Sequence, residues 1–395
     1  MLSVEKAKQA VIENVSLLSV ENIPIEKSYG YVLAEDIYSP LALPPFNQSA
    51  MDGYAFIFDD LKNKLPLKII AEVAAGNQYK ETLRSGDAIR IFTGAPVPLG
   101  ADCIVMQEKV RVEINLLHIL DTTLNPYSNI RLKGSQIEKE ELALSKGTKV
   151  TAATIGFIAG MGITSIQVVR KPKVNVIVTG SELQKPGNPL KEGQIFESNS
   201  YSISAALNSM DLSADRIESV ADNEVEVNAI IARSIETCDV LVLSGGISVG
   251  DYDFVERGLK NSTVEPIFYK VKQKPGKPLF FGKYKNTIVF ALPGNPAAVL
   301  SCFYNYVYPA LRKMQGFSSH FLKSVKLPIS TDYPKKSGLS NFLNAKMDKD
   351  KILPLEGQAS YILRSYAIAD SIIYLPEESE NLKAGELVEV FLLPK

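Results

Sequence analysis

Three apolar runs in the middle of the chain each end in a polar loop rich in glycine or proline. The runs are 174–178, 240–243 and 288–292, and they are followed by TGSEL, SGGISVGDYD and PGNP. Buried parallel strands have short, continuous apolar sequences, and ligands bind just beyond their carboxyl ends. Glycine also lets backbone N–H groups approach an anion closely. We therefore expect a ligand site where these three loops meet.

Carboxylates and lysines share the same part of the chain. They are Glu182, Asp251 and Asp253 on the loops, and Lys270, Lys272, Lys274 and Lys277 in the segment KVKQKPGKP. Mg²⁺ favours one or two carboxylates together with phosphate oxygens, and lysine binds phosphate as a point charge. The combination predicts a phosphate-bearing ligand that is handled with a metal ion. Taken alone, the lysines are most simply explained as surface residues exposed to solvent. Pro275 and Gly276 fix the backbone between Lys274 and Lys277, however, and this favours a ligand-binding loop.

The surrounding patterns predict the elements that position these loops. Apolar residues at helical spacing over 2–18 predict an amphipathic helix. From 23 to 141, short β-like runs alternate with Pro and Gly, which favours an antiparallel β domain. From 174 to 316, strands alternate with helical stretches, as in α/β domains. After 316, short strands separated by turn signals predict a small all-β domain.

We therefore predict a multidomain fold of α/β and β parts, with a central doubly wound α/β domain. The chain has 395 residues, which exceeds what one hydrophobic core usually supports. The expected domains are an N-terminal helical and linker domain (1–22 with 140–170), an elongated β domain (23–139), the α/β domain (171–318) and a β-barrel-like C-terminal domain (319–395).

The composition excludes several classes of protein. The formal net charge is −1, so a broad nucleic-acid-binding surface is not expected. The sequence has neither a long apolar run nor the apolar core of a signal peptide, and we expect a cytoplasmic enzyme without membrane contact. Cys103, Cys238 and Cys302 lie far apart without a CxxC pair, which disfavours zinc and disulfides and predicts small core residues. The fingerprints of dinucleotide-binding folds, P-loop NTPases and α/β-hydrolases are absent.

Six motifs, in order along the chain, resemble those of the molybdopterin molybdenumtransferases, the family of the MoeA-type proteins and the gephyrin E domain. They are PPFNQSAMDGYA (44–55), RIFTGAPVPLGADCIVMQE (90–108), VTGSEL (178–183), LSGGISVGDYDFV (243–255), KPGKPLFFG (274–282) and LPGNP (292–296). The resemblance covers essentially the whole chain. It implies an enzyme that takes adenylylated molybdopterin and molybdate, releases AMP and leaves molybdenum on the dithiolene.

The resemblance also implies roles for residues at matching positions. The catalytic candidates are Asp52, Thr93, Glu182, Asp222 and Asp253, of which Glu182, Asp222 and Asp253 would hold Mg²⁺. The substrate-binding candidates are Ser181, Asn199, Gly245, Gly246, Ser248, Gly250, Lys270, Lys274, Lys277, Pro293, Gly294, Asn295 and Pro296. Taken alone, Asp52-Gly53 is a hairpin signal. Gln136 replaces a carboxylate of the family pattern, so its part in metal or molybdate handling stays open.

The family resemblance further implies a homodimer whose active sites form between subunits. It also implies the molybdopterin adenylyltransferase and molybdoenzymes as partners. Two alternatives remain at this point. The chain could adenylylate molybdopterin, but adenylylating proteins are usually one domain. It could also be a gephyrin-like dimeric scaffold, although a pure scaffold could lose the carboxylates and lysines that are kept here. The sequence does not separate molybdate from tungstate as the natural oxyanion.

Overall fold

A computed structural model describes residues 1–247 and 254–394 of the chain. The chain forms two compact units. The first unit contains residues 1–34, 147–155 and 165–395, and the second contains residues 35–146 and 156–164. The division into four domains remains a prediction. Within the described residues, no helix is both long enough and apolar enough to cross a membrane.

Helix α1 (Val4–Asn14) opens the first unit. The side chain of Ser3 accepts a hydrogen bond from the Lys6 N–H at 3.3 Å and so caps the helix. Val4, Ala7 and Val11 lie on one face and are buried, which confirms the predicted amphipathic helix. A small antiparallel sheet follows, in the order β1 (Val20–Pro24), β13 (Ser165–Val169), β2 (Val32–Leu33).

The centre of the first unit is a six-stranded sheet. Its spatial order is β17 (Ala214–Val220), β14 (Val174–Thr179), β18 (Val240–Ser244), β22 (Thr287–Leu292), β21 (Phe280–Tyr284) and β19 (Glu265–Tyr269). The first four strands are parallel, β21 pairs antiparallel with β22, and β19 pairs antiparallel with β21. Every residue of β14, β18 and β22 is buried, which confirms the reading of the three apolar runs as buried parallel strands.

Helices cover both faces of this sheet. They are α3 (Asn199–Asn208), α4 (Glu224–Ile235), α5 (Phe254–Asn261), α6 (Pro296–Cys302), a π-helical turn (Phe303–Val307) and α7 (Tyr308–Met314). Alternate residues of β18 point into different cores. Val240 and Val242 pack with α1, α3, α6 and α7, whereas Leu241 and Leu243 pack with α4 and α5. The α/β part is therefore doubly wound, as the sequence predicts.

The C-terminal part of the first unit is a mostly antiparallel sheet. Its order is β20 (Gln273–Lys274), β24 (Ser340–Asp348), β26 (Ser371–Leu375), β27 (Leu387–Leu392) and β23 (Ser324–Pro328), with β25 (Lys351–Pro354) beside β24 and the short helix α8 (Arg364–Ile368) after it. Ile329, Ile352, Ile373 and Val390 form its separate core. The tail is therefore built mainly of β-strands, as predicted, but the helix α8 means that it is not all-β.

The second unit is built on another six-stranded sheet. Its order is β8 (Cys103–Met106), β5 (Gly53–Phe56), β7 (Asp87–Ile91), β6 (Leu67–Val73), β10 (Leu116–Ile119) and β9 (Val110–Glu113). Four neighbouring pairs are antiparallel, but β6 and β7 run parallel. The segment 74–86 is long enough for the crossover that parallel neighbours need.

Short elements make up the rest of the described secondary structure. They are the strand pairs β3 (Ile37–Tyr38) with β12 (Leu142–Leu144), β4 (Gln48–Ser49) with β11 (Ile130–Arg131) and β15 (Leu183–Gln184) with β16 (Ile195–Phe196), helix α2 (Ala152–Gly160) and 3₁₀ turns at Ile25–Lys27, Phe58–Asn63 and Gln107–Lys109. All three cysteines are buried and free, as the sequence predicts, and burial raises the pKa of each thiol to about 12. A thiolate nucleophile is therefore disfavoured near neutral pH.

Candidate functional site

A cleft of about 630 Å³ lies beyond the carboxyl ends of β14, β18 and β22 in the first unit. The expected residues that line it are Glu182, Asn199, Asp222, Gly245, Gly246, Pro293, Gly294, Asn295 and Pro296. Parallel strands place their carboxyl ends on one edge of a sheet, so loops far apart in sequence converge there. The structure thus brings together the three loops that the sequence singled out.

The loop that follows β18 requires glycine at positions 245 and 246, because neighbouring atoms leave no room for a side chain there. Gly245 and Gly246 have φ values of +91° and +63°. A Cβ on Gly245 would lie 2.4 Å from the carbonyl oxygen of Thr179, and a Cβ on Gly246 would lie 2.5 Å from Val255. Any side chain here would displace the neighbouring strand end or helix. The backbone therefore forms part of the cleft wall.

Asn199, the first residue of α3, joins two of the loops. Its Nδ2 donates to the Ser244 hydroxyl at 3.0 Å and to the Gly294 carbonyl at 2.8 Å. The Ser244 hydroxyl donates to the Pro293 carbonyl at 3.3 Å. Asn199 Oδ1 and Thr179 Oγ1 are buried and accept or donate no hydrogen bond within residues 1–247 and 254–394. Buried polar atoms are rarely left unpaired, so these two atoms are candidates for water or ligand contacts.

The carboxylates Glu182 and Asp222 line the same cleft and are exposed to solvent. Asp222 is held by a reciprocal pair of hydrogen bonds: Oδ2 accepts from the Ser181 N–H at 3.3 Å, and the Asp222 N–H donates to the Ser181 hydroxyl at 3.0 Å. Among the described residues, no group of three or more His, Cys, Asp or Glu side chains is arranged to hold a metal ion. Two carboxylates still fit Mg²⁺, since phosphate oxygens and water complete its shell.

The lysine loop borders this cleft through Pro278, whereas Lys274 and Lys277 are exposed and do not line it. A buried network holds the loop from behind. Gln273 Nε2 donates to the Gly276 carbonyl at 2.9 Å, and the Tyr306 hydroxyl donates to Gln273 Oε1 at 2.5 Å. The backbone of the loop is therefore fixed, and the exposed ammonium groups of Lys274 and Lys277 can reach an anion, whereas Lys272 donates to the Glu377 carboxylate at 2.7 Å.

Lys270, the third predicted lysine, also lies outside the lining of the cleft. It has a left-handed backbone with φ +72°, and its ammonium group is 5.0 Å from the centre of the Tyr269 ring. The tyrosines of the FYNYVYPA helix are buried or half-buried, with Tyr306 and Tyr308 in the main core. These tyrosines therefore contribute to packing.

Comparison with known proteins identifies the architecture. Family models for the MoeA N-terminal region (domain I and II), a probable molybdopterin binding domain and the MoeA C-terminal region (domain IV) match residues 2–162, 175–313 and 326–393. Molybdopterin molybdenumtransferase of Haemophilus influenzae is 31% identical over 99% of this chain and 98% of its own. The chain belongs to the molybdopterin molybdenumtransferase family.

Further relatives support this membership. Molybdopterin molybdenumtransferase 2 of Mycobacterium tuberculosis is 31% identical over 99% of both chains. A crystal structure of the molybdopterin biosynthesis moeA protein from Pyrococcus horikoshii superposes with a TM-score of 0.83, at 29% identity, over 99% of this chain and 100% of that one. The resemblance predicted from the six motifs is thereby confirmed, together with the fold class.

Asp52 and Thr93, two catalytic candidates implied by the resemblance to the molybdenumtransferases, contact each other in the second unit. Asp52 Oδ1 accepts hydrogen bonds from the Thr93 N–H and the Thr93 hydroxyl, both at 2.8 Å. The hydrogen bond from the Thr93 N–H, followed in size by the bond from its hydroxyl, lowers the pKa of Asp52 below its ordinary value. Asp52 precedes β5, and the Arg90 guanidinium donates to the neighbouring Gly53 carbonyl at 3.2 Å. Asp52 is thus a fixed, ionised carboxylate rather than only a turn residue.

Some predicted residues of the family pattern lie outside the described part of the chain. They are Ser248, Gly250, Asp251 and Asp253 of the loop GISVGDYD. Gln136 is exposed, and its N–H donates to the Leu43 carbonyl at 2.9 Å. The roles of these residues stay predictions.

The sequence analysis did not name ten residues that line the cleft, namely Thr179, Gly180, Leu183, Ile195, Phe196, Glu197, Ser198, Ile247, Pro278 and Tyr361. Glu197 could have been found, because a carboxylate is favoured near the N-terminus of a helix and the sequence predicts helical stretches between 174 and 316. Its carboxylate accepts from the Ser200 N–H at 2.8 Å and from the Ser200 hydroxyl at 2.6 Å. Tyr361 had no such signal, because it lies far along the chain from the loops that form the cleft and local sequence does not show that it reaches them.

Proposed function

We propose that the chain inserts molybdenum into adenylylated molybdopterin, releasing AMP and forming molybdenum-molybdopterin. The observation that carries this proposal is the cleft, where glycine-rich strand ends and the carboxylates Glu182 and Asp222 converge. It lies mostly within the region that matches the probable molybdopterin binding domain. The molybdenumtransferase relatives match along essentially their whole length, which favours insertion over adenylylation of molybdopterin.

In the proposed mechanism the chain orients two anions that repel each other. Lys274 and Lys277 supply positive charge beside the cleft, and loop N–H groups supply dipoles, so the phosphates and molybdate can approach one another. Glu182 and Asp222, with Asp253 as the predicted third ligand, would hold Mg²⁺, which polarises the pyrophosphate when it is bound. Water attacks the pyrophosphate and AMP leaves, while the two dithiolene sulfurs replace two oxo groups of molybdate; each oxo group takes up two protons, from the dithiol and from solvent, and leaves as water.

AMP release tests this function directly. The purified chain is incubated with adenylylated molybdopterin and Mg²⁺, with and without molybdate, and AMP is quantified by chromatography. We expect release that depends on molybdate and a product that carries molybdenum on the pterin. A chain that instead consumes ATP and makes adenylylated molybdopterin would be the adenylyltransferase, and a chain without either activity would fit the scaffold.

We also propose a cytoplasmic homodimer, as the family resemblance implies, with the molybdopterin adenylyltransferase and molybdoenzymes as partners. In an isologous dimer each site can draw residues from both copies. Variants Asp52→Ala and Glu182→Ala should then each be inactive as homodimers. Mixed dimers, made by refolding equal amounts together, should recover roughly a quarter of the activity, because half the dimers are mixed and each has one intact site. Mixed dimers without activity would mean that each site uses one chain.

A further inference from the structure

Two aromatic rings line the cleft and face solvent. Tyr361 is 69% exposed and Phe196 is 46% exposed. Neither ring contacts another aromatic ring or a cation among the described residues, and the Tyr361 hydroxyl bonds no protein group there. Large apolar side chains normally gain free energy by leaving water, and exposed aromatic rings in a concave site are typical of ligand contacts.

The backbone beside Tyr361 is fixed against the PGNP turn. Asn295 Nδ2 donates to the Ser360 hydroxyl at 2.9 Å, and the Ala297 N–H donates to the Ser360 carbonyl at 3.0 Å. The segment is also anchored to β24, since Gln358 Nε2 donates to the Asn344 carbonyl at 2.8 Å. The ring therefore projects from a rigid support, which lowers the entropy lost when a ligand stacks on it.

Phe196 is held in a comparable way beside the carboxylate Glu182. The Ile195 N–H donates to the Glu182 carbonyl at 2.9 Å, and the Glu197 N–H donates to the Gln184 carbonyl at 2.9 Å. The neighbouring bonds on both sides of Phe196 keep its ring at the cleft. The rest of the cleft consists largely of glycine, proline and polar residues, which suit the phosphate end of a ligand rather than a ring.

We propose that Tyr361 and Phe196 stack against the planar nitrogen heterocycle of the phosphate-bearing ligand and help determine which ring the cleft accepts. This inference rests on the proposed function, whose substrate contains two such rings, a purine and a pterin. Aromatic faces bind any flat π-system, and removing one stacking side chain typically costs about 1–3 kcal/mol, or roughly 5- to 150-fold in affinity. Tyr361 would thus be a ligand contact that the C-terminal part of the chain supplies.

The chain contains no tryptophan, which provides a direct reporter. Tyr361→Trp and Phe196→Trp each create a single-tryptophan protein, and Tyr29→Trp is a matched control because Tyr29 is 56% exposed and lies outside the cleft lining. Each protein is titrated with AMP, with ribose 5-phosphate and with 6-hydroxymethylpterin. We expect saturable quenching of the cleft tryptophans by AMP, by the pterin or by both, and none from Tyr29→Trp. Which of the two quenches identifies the ring that stacks.

Calorimetry on the alanine variants completes the test. Tyr361→Ala and Phe196→Ala should weaken binding of the quenching ring compound by about 10-fold and leave the affinity for ribose 5-phosphate unchanged, whereas Tyr361→Phe should retain most of the affinity. Unaltered melting temperatures exclude misfolding as the cause. Equal loss for ribose 5-phosphate, full affinity in both alanine variants, or no saturable quenching would overturn the inference. A ring-selective loss in a chain that releases no AMP would refute the proposed reaction but leave the stacking contact standing.

Discussion

Replacing Asn199 with alanine should lower both stability and activity, and the structure allows the two effects to be separated. Asn199 is 8% exposed, and its amide donates to Ser244 and Gly294 at the ends of two loops. A neutral hydrogen bond contributes about 0.5–1.5 kcal/mol, and a buried group left unpaired costs about 1–3 kcal/mol. Ser244 keeps its bond to Pro293. We therefore expect the free energy of unfolding to fall by about 2 kcal/mol through the loss of two hydrogen bonds, since Gly294 is exposed and water can replace the amide at its carbonyl.

Asn175 provides the matched control. It is a buried asparagine of the same sheet, 2% exposed, and its Nδ2 donates to the Ser234 carbonyl and the Thr237 hydroxyl, both at 3.3 Å. Asn175 lies near the amino end of β14, away from the cleft, so Asn175→Ala should lose stability without a specific loss of activity. Asn199→Ala should lower molybdate-dependent AMP release on the order of 100-fold, because a shift of about 1 Å in a positioning group can have that effect.

The assay combines urea unfolding, followed by circular dichroism, with the rate of AMP release. A third variant, Asn199→Asp, keeps the size of the side chain but cannot donate to the Gly294 carbonyl, and it should resemble Asn199→Ala. Full activity in Asn199→Ala, or an equal loss of activity in Asn175→Ala at the same stability, would contradict a positioning role for Asn199.

Three further predictions concern charged groups. Thr93→Val should raise the pKa of Asp52 toward its ordinary value and lower AMP release without unfolding the chain. The lowered pKa favours the ionised carboxylate, so the stability that the Thr93 bonds contribute is present at neutral pH and is lost as the pH falls through that pKa. Carboxyl NMR can follow this titration. Arg170→Ala should cost about 2 kcal/mol at neutral pH in urea unfolding, after allowance for partial exposure, because Arg170 donates to both oxygens of Asp239 at 2.6 and 2.7 Å. Burial acts to raise the pKa of Asp239, but the Arg170 bonds outweigh it and lower that pKa, so the cost should shrink in acid. Lys277→Ala should weaken calorimetric binding of adenylylated molybdopterin about 10-fold, the loss of one charge-assisted bond.

Each of these has a contrary outcome. An unchanged pKa in Thr93→Val would mean that the hydroxyl bond is not formed in solution. A cost of Arg170→Ala that is independent of pH would assign its effect to packing rather than charge. Unaltered affinity in Lys277→Ala would return the lysine loop to plain surface.

The secondary structure of the α/β part could be predicted because burial leaves a direct mark on the sequence. Strands covered on both faces require continuous apolar residues, as in β14, β18 and β22, and α1 repeats apolar residues at helical spacing. The antiparallel expectation for the second unit was incomplete, since β6 and β7 are parallel. Strand direction depends on how the connecting segment returns, and residue type within the strands does not specify it.

By itself the sequence determined the buried parallel strands, the glycine loops after them and the family to which the chain belongs, because these depend on local residue order. Only the tertiary structure decided which distant groups meet. Thr93 reaches Asp52 because β5 and β7 pair, and Tyr361 reaches the cleft because Ser360 bonds to the PGNP turn. Asn199 could be proposed as a site residue, but its bonds to Ser244 and Gly294 arise because α3 packs against β14 and α6. Such contacts form between segments far apart in the chain, where local periodicity carries no information about the partner.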